Sequence, residues 1–215
     1  VYPGIEIKDP LPAEQVQRKR AELGVAEDEF MVLYAGDLEF AGSVDEMIEI
    51  VTKTCGESSN IKFVLACRVK TPAAKHEEDK IVAAIQANQL QDRVRMFNER
   101  SDILDLVGAC DLHMFPVKSL YAKMDIPLVL LETMRESKPL LLSDMEPLAE
   151  TVDGIPECLL PLSRPSDWVE RILELAQNSS LQKQLGAKCR QRFCDVFSAQ
   201  TMADGYRGIY QDLSS

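Results

Sequence analysis

Apolar residues along this chain fall into short blocks separated by segments with a different rhythm. The runs FMVLYAG at 30–36 and IKFVLAC at 61–67, apolar except for Lys62, are rich in branched side chains and of strand length, the pattern of strands buried on both faces. Between them, SVDEMIEIVTKTC places Val44, Met47, Ile48 and Val51 at i, i+3, i+4 and i+7, which predicts an amphipathic helix. The alternation continues with a helix over 75–89, a strand at 93–97 (RVRMF), a helix at 102–109 (DILDLVGA) and a strand at 111–115 (DLHMF). A helix over 127–137, a strand at 139–143, a short helix at 146–152 and a strand near 158–161 complete it. Buried strands alternating with helices predict an α/β, Rossmann-like fold: a parallel sheet of six to seven strands, helices on both faces, and right-handed crossovers.

The last fifty residues change character. SDWVERILELAQ, SLQKQLGAKCRQRFCDVF and SAQTMADGYRGIYQDL read as three successive helices, with Ser166 and Ser179 as expected caps of the first two. No repeat, low-complexity tract or linker divides the chain, so residues 1–215 are expected to form a single domain. The opening stretch VYPGIEIKDPLP is rich in Pro and Gly and reads, over 1–11, as a hinge entering from sequence not present here.

Charge narrows the partners. Lys and Arg total 24 against 35 Asp and Glu, a net charge of -11, which repels a phosphate backbone and makes nucleic acid an unfavourable partner. No run reaches the roughly 18 apolar residues of a membrane span, and the start lacks the basic and apolar regions of a signal peptide, so a cytoplasmic, soluble protein is expected. The six cysteines (Cys55, Cys67, Cys110, Cys158, Cys189, Cys194) contain no CxxC pair and have only His76 and His113 to assist them. They read as small buried hydrophobes in a reducing compartment, with no metal site.

A doubly wound sheet binds its ligand outside the carboxyl ends of its strands, so the strand-exit loops carry the candidate chemistry. The first, AGDLEFAGS at 35–43, leaves the strand through Gly36 and enters a helix through Gly42 and Ser43, whose amides would face a phosphate. It lacks both the GxGxxG spacing and the lysine of a Walker loop. The second, PVKSLYAKMDIPLVLLETMRESKP at 116–139, runs through a polar loop into an apolar helix that carries Glu132 among Leu128, Leu131 and Met134. A carboxylate in such surroundings costs on the order of several kcal/mol unless a partner hydrogen-bonds to it; hydroxyls of a ligand would serve.

Six segments, in order, resemble the C-terminal domain of the group 1 retaining glycosyltransferases, a two-domain GT-B family that includes sucrose-phosphate synthases and bacterial mannosyltransferases. VYPGIEI resembles the interdomain P-x-G-x-D segment, VLYAGDLEFAGSVDEMIE the glycine loop, and DRVRMF the strand ending near the donor base. CDLHMFP is similar to the A-D-x-x-x-x-P segment, PLVLLETMRESKPLLLSD to E-A-M-A-x-G-K-P-V-V-A-T-D, and FSAQTMADGYRGIY to the closing helix, which in the family runs back towards the partner domain.

The resemblance implies a nucleoside-diphosphate sugar as substrate, no cofactor and no metal, with the acceptor held by an N-terminal domain absent here, through which alone any peripheral membrane contact would be made. This fragment would be inactive by itself. The family's ribose-binding glutamate falls on Glu132, whereas its sugar-contacting glutamate falls on Met124, leaving Asp125 as the neighbouring carboxylate. The family's diphosphate-binding Arg and Lys fall on Asp37 and Ala41. Diphosphate binding would then draw on Arg68 and Lys70 after the second strand, or on Lys118 and Lys123, which lie nearest the Glu132 helix. These departures leave open a degenerate, non-catalytic nucleotide-binding or regulatory domain of the same fold. A GT-B epimerase, which depends on further carboxylates and histidine, ranks last.

Overall fold

The computed structural model describes residues 1–121 and 124–214. Within them the elements are α1 (Ala13–Glu22), β1 (Phe30–Asp37), α2 (Val44–Glu57), β2 (Ile61–Arg68), α3 (Pro72–Ala87), β3 (Val94–Asn98), α4 (Ile103–Ala109) and β4 (Leu112–Phe115). They continue with α5 (Leu128–Arg135), β5 (Leu140–Ser143), α6 (Leu148–Thr151), β6 (Leu159–Leu160), α7 (Pro165–Gln177), α8 (Ser179–Val196) and α9 (Ala199–Leu213). Among the described residues the strands form one six-stranded sheet in the order β3-β2-β1-β4-β5-β6, parallel at every pairing.

Side-chain alternation along β1 divides the core between the two faces of the sheet. Val32 and Tyr34 join a large apolar cluster with Met47, Ile50 and Val51 of α2, Ile81 of α3 and Trp168 of α7. Met31, Leu33 and Ala35 point the other way, into a cluster with Leu106, Val107 and Ala109 of α4. Helices therefore cover both faces, as the unbroken apolar strands require. On α2 the buried stripe is wider than the spacing predicts: Ile50 is fully buried while Ile48 is only partly so. The helix packs against both α3 and α7, so a second flank is covered.

Sequence periodicity misses α1. Its sequence, AEQVQRKRAE, has no apolar stripe and none of its residues is buried. Charge anchors it instead: the Lys19 ammonium donates to Asp102 at 2.7 Å, and Arg20 donates to the Asp111 carboxylate at 2.7 Å. Leu11 adds an apolar clasp, lying so close to Gly108 that a Cβ there would come within 2.8 Å of it.

The two expected serine caps are also corrected. α7 begins at Pro165, whose ring pre-sets a helical φ and whose missing N–H costs nothing at the first position, so Arg164 is the cap residue and Ser166 lies inside the first turn. α8 is capped by Asn178, whose side-chain oxygen accepts from Leu181 N at 3.0 Å, while Ser179 is already helical.

The opening segment is tied to the end of the domain. Ile5 N donates to Phe197 O at 3.0 Å and Ala199 N donates to Ile5 O at 2.8 Å, clipping the chain to the α8–α9 junction. Tyr2 packs edge-on to Phe197 and donates its hydroxyl to Glu150 at 2.7 Å. α9 buries none of its residues and exposes Tyr206, Ile209, Tyr210 and Leu213.

Candidate functional site

The strand order reverses between β1 and β4, the switch point at which an open parallel sheet leaves a crevice outside its carboxyl ends. Here β1 and β4 pair only through Val32↔Leu112 and Leu33↔His113, then part. The Phe115 ring, stacked on Tyr34 at 6.1 Å between centroids, lines the gap. There a cleft of about 500 Å³ opens, lined by Ala35, Gly36 and Asp37 of β1, Cys67 and Arg68 of β2, Glu99 and Arg100 after β3, Met124 in the segment before α5, and Leu128 and Val129 at the start of α5.

Gly36 has a packing reason to be glycine. A Cβ at that position would come within 2.9 Å of the Tyr34 hydroxyl and 3.4 Å of the Phe115 ring. The Tyr34 hydroxyl in turn donates to Asp37 O at 2.8 Å, and the Asp37 carboxylate accepts from Phe40 N at 3.0 Å, so Asp37 closes the turn that follows β1. Gly42 has φ +64, the left-handed region glycine adopts without strain. Beside it the two strand-exit loops are stitched together: Lys118 N donates to Ala41 O at 2.8 Å, and the Ser43 hydroxyl donates to Pro116 O.

The candidate cations differ in what already holds them. Lys118 is paired with Glu46 in the first turn of α2 at 2.7 Å, and Lys70 with Glu99 at 3.1 Å. Lys123 lies outside the described residues. Arg68 is exposed, lines the cleft, and has no hydrogen-bond or ion-pair partner among the described residues. Arg100, a cleft cation that is not among the candidates drawn from the sequence, donates to Asp102 and to Glu22 and lies over the Phe97 ring at 4.7 Å. Those pairings hold the Asp102 carboxyl far below the usual carboxylate range. The one signal for Arg100 is its place in the loop that leaves a strand, in NERSD.

Glu132 sits one turn beyond Leu128 on α5. Leu131 and Met134 are buried, but Leu128 is 41% exposed and faces the cleft, so the apolar surroundings are open on that side. The Glu132 carboxylate is half-buried and has no hydrogen-bond partner among the described residues. Burial pushes its pKa up, an effect partly offset by the Arg135 guanidinium. Asp125 is exposed and is not among the cleft-lining residues; Met124 is. Cys67, at the cleft floor, is a neutral thiol with its pKa pushed up to about 12 by burial. No group of three or more His, Cys, Asp or Glu side chains among the described residues is placed to hold a metal ion, and no helix there is long and apolar enough to cross a membrane.

Beneath the cleft, His113 of β4 is fully buried. Its Nδ1 lies 2.6 Å from the Thr133 hydroxyl, which itself donates to Val129 O at 2.8 Å. Nδ1 is therefore the protonated nitrogen. Nε2 is buried with no partner among the described residues, and burial drives the imidazole pKa down to about 3.

Residues 15–192 match the family described as Glycosyl transferases group 1. An uncharacterized glycosyltransferase of Methanocaldococcus jannaschii is 36% identical over 88 residues, which are 40% of this chain and 25% of that protein. Two solved structures share the fold. The sucrose-phosphate synthase of Thermosynechococcus elongatus superposes with a TM-score of 0.80 at 20% identity, over 98% of this chain and 51% of its own. The HepE protein of Anabaena, solved with UDP and glucose, gives 0.83 at 19% identity, over 100% of this chain and 56% of its own. The chain thus spans about half the length of either solved protein. With the family match covering most of its residues, the chain belongs to the group 1 glycosyltransferases, as a Rossmann-like domain matching the C-terminal half of their GT-B fold.

Proposed function

We propose that this domain holds the nucleoside-diphosphate sugar for a two-domain glycosyltransferase whose N-terminal half, outside this chain, binds the acceptor. The observation that carries the reading is the half-buried Glu132 carboxylate, unpartnered among the described residues and one helical turn from a cleft at the sheet's switch point. A half-buried carboxylate near the cleft, though not in its lining, would gain from hydrogen bonds donated by vicinal hydroxyls, as on a ribose. The solved HepE complex with UDP and glucose, on the same fold, supports a nucleotide sugar as the ligand class.

In this reading transfer proceeds with retention at the anomeric carbon. The diphosphate leaves against fixed cations and backbone amides, with no metal required, and closure of the two domains excludes water. The exposed apolar face of α9 and the segment 1–11 clipped beside it offer the partner domain a surface, with 1–11 as the hinge. The domain alone binds donor and does not transfer sugar.

A second reading, a nucleotide-binding or regulatory domain that has lost catalysis, is favoured by one observation: Asp37 lines the cleft where the family resemblance calls for an arginine.

The test is a titration of UDP, GDP and ADP, and of their glucose conjugates, against the parent and Glu132→Gln. The variant is expected to bind about 1–3 kcal/mol more weakly while unfolding at the same denaturant concentration or higher, because a neutral amide escapes the burial penalty on the carboxylate. Unchanged affinity would remove Glu132 from the site, and loss of folding would make it structural. Activity regained on joining the N-terminal half separates the enzyme from the second reading.

A further inference from the structure

Among the described residues, the cations around the cleft are paired with carboxylates, with one exception. Lys70 is held by Glu99, Arg100 by Asp102 and Glu22, and Lys118 by Glu46. The amide end of α2, the expected phosphate seat, already has Asp45 and Glu46 in its first turn. One oxygen of Glu46 is buried without a hydrogen-bond partner and the other pairs with Lys118, so this helix end already carries carboxylate charge, which disfavours an anionic ligand there. Arg68 differs from the other cations named. It ends β2, its parallel neighbour in register is Asp37, its side chain is exposed in the cleft lining, and it has no partner among the described residues.

Building on the proposed donor-binding role, we infer that Arg68 receives the ligand's phosphate, so that the anionic part of the nucleotide lies at the exit of β2, one strand away from the β1 loop. The guanidinium stands at the end of a strand paired on both sides, so its base is rigid. Its planar fork matches two phosphate oxygens at once, which an ammonium cannot do. Asp37 beside it keeps the local field from being generally basic, so recognition depends on the direct contact rather than on a diffuse positive surface. The cleft thereby selects phosphorylated nucleotides over nucleosides through one side chain.

The experiment measures affinity of the 215-residue chain for UDP, GDP and ADP and for uridine, guanosine and adenosine, at two ionic strengths, in the parent, Arg68→Ala and Arg68→Lys. For the base that binds, Arg68→Ala is expected to weaken the diphosphate about ten- to a hundred-fold, to flatten its salt dependence, and to leave the nucleoside unchanged. Arg68→Lys is expected to restore the salt dependence and only part of the affinity. An equal loss for nucleoside and diphosphate would overturn the inference in favour of stacking on the base, and undiminished diphosphate binding by Arg68→Ala would overturn it outright. If the folded parent binds none of the six probes at millimolar concentration, the donor-binding reading fails and this inference with it.

Discussion

Acidification should destabilise this domain through His113, by an amount that can be worked out in advance. The imidazole is buried, its Nδ1 proton is committed to Thr133, and Nε2 has no acceptor or water-facing side among the described residues. Its pKa falls from about 6.5 in the unfolded chain to about 3 in the folded one, and burial alone is responsible. A depressed pKa means that the unfolded chain binds more protons than the folded one between those two values. Stability therefore rises with pH across that window, and it is lost progressively as pH drops below about 6.5. Between about pH 7 and pH 5 the linkage amounts to about 2 kcal/mol. That figure depends on the unfolded pKa and requires only that the folded value stay well below 5. It is a large part of a domain's usual net stability of roughly 5–15 kcal/mol. Trp168, the single tryptophan, is fully buried, so its fluorescence in urea titrations reports unfolding. The comparison is with His113→Asn, which keeps an N–H donor for Thr133 but does not titrate; its smaller side chain lowers stability by a pH-independent amount. Carboxylates titrate alike in both proteins, so the parent should lose about 2 kcal/mol more than the variant over this interval. Equal losses would refute the assignment, as would an imidazole seen by NMR to protonate above pH 5 in the folded state.

Two further outcomes test the packing. Asn178→Ala should cost about 1 kcal/mol in urea unfolding because the α8 cap is lost, whereas Ser179→Ala should stay within about 0.5 kcal/mol. Gly186→Ala should destabilise by about 1–3 kcal/mol despite alanine's better helix propensity. A Cβ there would overlap the Ser137 carbonyl, which belongs to a residue held at φ 57 and is poorly placed to yield; a neutral or stabilising result would show that the turn gives way.

The sequence by itself determined the layered architecture, and the reason is burial. Strands covered on both faces must be largely apolar, as FMVLYAG is and as IKFVLAC is but for Lys62, and the helices between them must show one apolar side, so the six strands and, among the described residues, every α-helix except α1 could be read from the sequence pattern. Where burial does not act, periodicity is silent. α1 has no apolar stripe and is fixed by Lys19 and Arg20 reaching Asp102 and Asp111, contacts more than eighty residues apart in sequence. The family segments likewise brought Glu132 and the strand-exit loops into view, because motif order follows strand order. Sequence could not say which cations remain available, since pairing depends on distances between loops: Lys118 meets Glu46 and Lys70 meets Glu99 only once the sheet brings their strands together. Sequence offered Arg68, Lys70, Lys118 and Lys123 together; among the described residues the folded chain pairs Lys70 and Lys118 with carboxylates and leaves Arg68 exposed in the cleft lining. The burial of His113 and its unpartnered nitrogen were equally decided by packing, because one histidine in an apolar run reads the same whether its ring meets a ligand, a threonine or nothing at all.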